Sequence, residues 1–109
     1  MAQDFERHLD RNTGTSPVVV FTSDSDDAVV GIRLCNVNAS TSINVDCYVV
    51  NGGNNYYIAK SVPVPVSSSL ELIDSGSKIV LQNGDALTIK SDTASSLDSI
   101  VSRIDAIST

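Results

Sequence analysis

The chain has no tryptophan and only 5% aromatic residues, so any core it forms must be built largely from aliphatic side chains. Histidine occurs once, as His8, and cysteine twice, as Cys35 and Cys47. Two cysteines alone leave a tetrahedral zinc site half filled. No nucleophile motif accompanies His8, so a serine–histidine–aspartate arrangement has no support beyond the residue types being present. Cations are scarce: 7 Lys and Arg stand against 13 Asp and Glu, for a net charge of −6. Phosphate contacts need clustered cations, so this balance argues against a nucleic-acid partner and against an anionic membrane surface. No apolar run approaches the ~20 residues of a membrane helix. The opening residues Met1-Ala2-Gln3-Asp4-Phe5-Glu6-Arg7-His8 lack the apolar stretch of a secretory signal. A protein made and used without export is therefore expected.

What is present is 41% hydrophobic residues in 109, enough for one folded domain. Valine, isoleucine, serine, threonine, asparagine and aspartate are frequent, the mixture of strands separated by polar turns. The stretch Lys78-Ile79-Val80-Leu81-Gln82-Asn83-Gly84-Asp85-Ala86-Leu87-Thr88-Ile89-Lys90 reads as a hairpin about Asn83-Gly84, a dipeptide suited to a type I′ turn. Further strands are expected at 17–22, 28–37 and 43–50, with Ile43, Val45, Cys47 and Val49 inward and Asn44, Asp46 and Tyr48 outward. Asn51-Gly52-Gly53-Asn54 is a second hairpin turn, with its return strand over 55–62. Pro63 and Pro65 make Val62-Pro63-Val64-Pro65-Val66 an edge segment or a crossover between sheets. A strand at 70–73 follows, then a turn at 74–77. Over the tail, Leu97, Ile100, Val101, Ile104 and Ile107 are spaced for a helix, but their β-branching favours a closing strand beside 86–91. Together these predict an all-β fold: an antiparallel β-sandwich, jelly-roll or immunoglobulin-like, of about eight strands over 17–109. Residues 1–16 stand apart as a short N-terminal arm. Phe5 and Leu9, four apart, suit a single helical turn; the arm is either loose or ordered on a neighbouring subunit.

The candidate chemistry is sparse. Cys35 and Cys47, read onto neighbouring strands, could face each other, but free buried thiols fit a reducing compartment better. Asp24, Asp26 and Asp27 are dense enough for Ca²⁺, yet the EF-hand pattern fails at its sixth and twelfth positions, Val29 and Cys35. A solvated turn is the plainer reading. Gly52-Gly53 lacks the lysine and helix N-terminus of a phosphate loop. Tyr48, Tyr56 and Tyr57 on one hairpin could form an aromatic patch for a protein or a sugar, or could simply cover the sheet. The residues expected at a protein interface are Phe5, Leu9, Val62, Pro63, Val64, Pro65, Tyr48, Tyr56 and Tyr57. No catalytic or metal-ligating residue and no cofactor is implied.

Several phrases in order carry a resemblance: Gly14-Thr15-Ser16-Pro17-Val18-Val19-Val20-Phe21-Thr22, Val30-Gly31-Ile32-Arg33-Leu34-Cys35-Asn36-Val37, Tyr57-Ile58-Ala59-Lys60-Ser61-Val62-Pro63-Val64-Pro65, Ser69-Leu70-Glu71-Leu72, Lys78-Ile79-Val80-Leu81-Gln82-Asn83-Gly84-Asp85 and Ala94-Ser95-Ser96-Leu97-Asp98. Together they resemble small virion structural proteins of tailed bacteriophages, especially phages of marine cyanobacteria. The resemblance implies a strand after Ser95-Ser96 and a non-enzymatic part of the particle, assembled in the host cytoplasm with other virion proteins. Those partners are the major capsid protein or neck and tail proteins, and a homo-oligomer is expected. A capsid decoration or cement protein is the first expectation. A neck or tail component and a carbohydrate- or receptor-binding head are the alternatives.

Overall fold

Gly52 and Gly53 hold φ of 59° and 80°, and the rest of the chain pairs outward from that turn. The computed structural model describes residues 4–73 and 78–107, among which there are nine strands and no helix. They are β1 (Asp4–Thr13), β2 (Val18–Thr22), β3 (Asp27–Asn36), β4 (Ile43–Asn51), β5 (Asn54–Val64), β6 (Ser69–Glu71), β7 (Ile79–Leu81), β8 (Ala86–Ser91) and β9 (Leu97–Asp105). Two consecutive positive φ values define the type I′ geometry whose twist matches a two-residue hairpin, and Asn51 accordingly faces Asn54. Successive pairings then nest around it. Ile43 faces Val64, Cys35 faces Ser69, Val29 faces Ile79, Thr22 faces Ala86, and Asp4 faces Asp105.

This folded-back ribbon wraps into two antiparallel sheets. One runs β1-β9-β3, with β6 and β7 end to end along the far edge of β3; the other runs β2-β8-β4-β5. Such a nested, doubly wrapped order is the jelly-roll form of a β-sandwich. Between the sheets lie Ile32, Leu34, Ile43, Val45, Leu87, Ile89, Leu97 and Val101, all buried. Each aliphatic side chain of this kind contributes roughly 1.5–3 kcal/mol on leaving water. Phe21 is the aromatic member of this cluster, so the core is aliphatic as the composition requires. At one end Asn36, fully buried, donates from Nδ2 to the carbonyls of Thr41 and Val64 and accepts from the Asn38 amide, tying the β3–β4 loop to β5.

Four expectations change. Asn83-Gly84 does not close a hairpin: β7 pairs with β3 and β8 with β2 and β4, so this turn carries the chain from one sheet to the other. Gly84 has φ 95° while Asn83 is not in the left-handed region, and the Asp85 amide donates to the Gln82 carbonyl. One positive φ at the third turn position gives the type II family, which does not share the twist of paired strands. Residues expected as an arm form β1, a ninth strand hydrogen-bonded to β9; the i, i+4 spacing of Phe5 and Leu9 fits a strand face as well as a helix face. The tail is a strand, but it lies between β1 and β3 and not beside 86–91. Strands β3 and β4, expected as neighbours, sit in opposite sheets, while both thiols are free as expected, Cys47 buried and Cys35 half-buried. The expected turn at 74–77 and residues 1–3 of the arm lie outside the described residues.

Candidate protein interface

Alternation along β1 divides its side chains into two sets. Phe5, Arg7, Leu9 and Arg11 face outward, while Glu6, His8 and Asp10 turn toward the opposing sheet. On β9 the outward partners of Phe5 and Leu9 are Ile104 and Ile100. Phe5 is 81% exposed, Leu9 58% and Ile100 48%. The two strands thus display apolar cross-strand pairs to solvent, with Arg7 and Arg11 interleaved. Beside them a shallow depression of about 550 Å³ has Gly31 at its floor and Arg33, Glu71 and Ile100 around it.

The inward set is held by one cation. Arg103 on β9 sits between Asp27, Glu6 and Asp105 at 2.7, 2.8 and 3.2 Å. Its guanidinium lies 4.4 Å from the centroid of the Phe21 ring, and His8 stacks on Phe21 with centroids 4.7 Å apart. Arg103 Nε donates to His8 Nε2 at 3.0 Å, so that nitrogen acts as an acceptor. Burial first, and then the neighbouring guanidinium, lower the His8 pKa. Asp27 is raised by burial but held lower overall by donors from the Ser23 hydroxyl and the Ala106 amide. The Asp105 carboxyl, set beside Asp27, is pushed up.

Of the acidic group Asp24, Asp26 and Asp27, two converge, and the third carboxylate comes from β9: Asp24, Asp27 and Asp105 lie within 4.8 Å of one another. The cation this cluster holds is Arg103, which pairs with Asp27 and Asp105. Among the described residues His8 meets Arg103 and Phe21 and no hydroxyl nucleophile.

The other residues expected at an interface separate. Tyr48 and Tyr57 face each other on the outer side of the second sheet, ring centroids 5.0 Å apart. Tyr48 is only 6% exposed, and Lys60 Nζ lies 4.6 Å over Tyr57. Tyr56, adjacent in a strand, necessarily points to the opposite face; it lines a hollow of about 350 Å³ with Val49, Ile79 and Gln82. Val64 is fully buried and Val62 is half-buried against the core, whereas Pro63 and Pro65 are exposed along the β5 edge and its exit turn.

Ile100, Ile104, Arg7 and Arg11 complete the outward face, and none of the four was among the residues expected at an interface. The available signal was the period-two pattern of Phe5-Glu6-Arg7-His8-Leu9-Asp10-Arg11 itself. Arg103 was missed for a different reason: its acidic partner Asp27 is 76 residues away.

In the crystal structure of the infectious bursal disease virus VP2 subviral particle, a similar fold covers 95% of this chain with a TM-score of 0.52. Identity is 9%, and the chain spans about a third (33%) of the virus chain. At that identity the likeness establishes the fold alone, an all-β sandwich shared with a protein of a viral particle. No protein-family model and no curated protein sequence matches the chain.

Proposed function

We propose that this chain is a non-enzymatic structural component of a virus particle, docking through the outer face of the β1–β9 ribbon. The observation that carries the proposal is the set of exposed apolar side chains Phe5, Leu9 and Ile100 on two paired strands of a stiff sandwich. Contiguous apolar surface of this kind, rimmed by charge, marks protein contacts. The fold shared with the VP2 subviral particle supports a role in a virion, and the ordered phrases quoted above favour a tailed bacteriophage. Within that setting the capsid exterior is the preferred position, as a decoration or cement protein in symmetric copies; a neck or tail position is second. A sugar-binding head is disfavoured because Tyr48 is covered and Lys60 occupies the Tyr57 face that a pyranose ring would need.

The test is a particle-retention assay with Phe5→Ser/Leu9→Ser. Both side chains are solvent-facing, so the thermal midpoint should hold while the protein is lost from particles. Retention at the wild-type level would overturn the docking face. Density confined to the inside of the shell in a cryo-EM map would overturn the decoration role.

A further inference from the structure

The two sheets have four edges, and the described residues treat them differently. The β5 edge is blunted by Pro63, by Ser61 in the left-handed region at φ 53°, and by register shifts against β4. The β2 edge is five residues long and bulged between Val19 and Phe21. The edge beyond β3 is broken into β6 and β7, each three residues. These are devices by which sheets avoid unwanted strand pairing. Strand β1 has none of them over most of its length. It is ten residues long, contains no proline, and keeps an unbroken ladder with β9 from Asp4 to Asp10. Its register is clamped from within by Glu6 and His8 on Arg103.

We propose that β1 is a template for strand addition, accepting an extended segment of a different protein whose every second residue, on the face shared with Phe5, Arg7, Leu9 and Arg11, is in turn apolar and acidic. This inference rests on the reading that the β1–β9 ribbon faces the partner. The chemistry of the occupant follows from what β1 presents beside its free backbone edge. Phe5 and Leu9 want apolar neighbours, while Arg7 and Arg11 form no ion pair among the described residues of a chain whose net charge is −6. Acidic residues directly or diagonally across would satisfy those cations, as opposite charges do in cross-strand pairs. A second copy is a poor occupant. None of its acidic residues has an apolar residue both two positions before and two positions after it, so the chain carries no stretch that would present apolar and acidic side chains in turn on one strand face. Backbone pairing supplies affinity in such complexes and the alternating side chains supply selectivity.

The experiment is an NMR titration of the isotope-labelled chain with the octapeptide Val-Thr-Glu-Thr-Val-Thr-Glu-Thr, which sets valine and glutamate in turn on one face, N-methylated on alternate residues against self-association. The lysine version of the peptide serves as comparison. Shifts and slowed amide exchange confined to residues 4–11 and their β9 partners are expected, with binding of the lysine peptide about tenfold weaker. Arg7→Glu/Arg11→Glu, both solvent-facing changes, should reverse that preference. Shifts centred on β5 or β2, equal response to both peptides, or no response at millimolar peptide would overturn strand addition. Loss of Phe5→Ser/Leu9→Ser from particles without any peptide response would overturn this inference alone. Peptide pairing with unaltered particle retention would overturn the docking reading alone.

Discussion

Arg103 Nη1 lies 2.7 Å from Oδ2 of Asp27, a carboxylate with no solvent exposure at the first position of β3. The pair joins β9 to β3, and through Glu6 it reaches β1 as well. A buried carboxylate stripped of its cation is costly because the neutral donors left to it, Ser23 and Ala106, carry no compensating charge. Arg103→Leu is therefore expected to destabilise the fold by about 3–5 kcal/mol in urea denaturation. Arg103→Leu/Asp27→Leu should recover part of that loss, since no orphan charge remains. A loss below about 1 kcal/mol for the single change would mean that Ser23 and Ala106 alone satisfy Asp27.

His8 gives the same network a pH dependence of defined sign. Its folded pKa lies below the ordinary 6.5, first from burial and then from Arg103, while Glu6 and Asp10 act in the opposite sense. The folded state therefore binds fewer protons than the unfolded chain between its own pKa and 6.5. The stability contributed is full above about 6.5 and declines as pH falls from there toward the folded pKa. Thermal midpoints should drop across that window in the wild type, and His8→Gln should remove that component of the slope. A midpoint that rises on acidification through the same window would contradict the assignment.

The two glycines of the β4–β5 turn should tolerate asparagine but not a β-branched residue. Gly52→Asn keeps a residue tolerant of φ 59° in a type I′ hairpin and is expected to be nearly neutral. Gly53→Val forces a β-branched residue to φ 80° and should cost about 1–2 kcal/mol. The check is the denaturation midpoint of each variant, with Asn83→Ala as a near-neutral comparison because that position is not left-handed.

The thiols offer a readout of burial. Burial pushes the Cys47 thiol up to about 12, so almost no thiolate is present at neutral pH. Cys35 is half-buried on the outer side of the first sheet. A disulfide-exchange reagent should label Cys35 in the folded protein and Cys47 only on unfolding. Simultaneous labelling of both would point to opening of the whole sandwich.

Much of the fold was legible because β-strands announce themselves by alternation and polar turns, and β3, β4, β8 and β9 carry both signals. Which strands pair was less so. Ile79 and Leu81 share an apolar pattern with Leu87 and Ile89 whether they meet across one hairpin or belong to facing sheets, and only the φ values at Asn83 and Gly84 decide between the two. The N-terminal stretch misled because Phe5 and Leu9 share a face in both regular structures. The Arg103 cluster was invisible because its residues come from three distant segments. Tyr56 and Tyr57 could have been separated beforehand, since neighbours in a strand never point the same way.

Nesting about Gly52-Gly53 also orders assembly in time. Closing β4 onto β5 bridges two residues, whereas setting Asp4 against Asp105 closes a loop of nearly the whole chain. Long closures are entropically dear and slow. Zippering from the central turn makes β1 the last strand to dock and the first to fray, so whatever seats itself on that margin would act as a clasp on the finished protein.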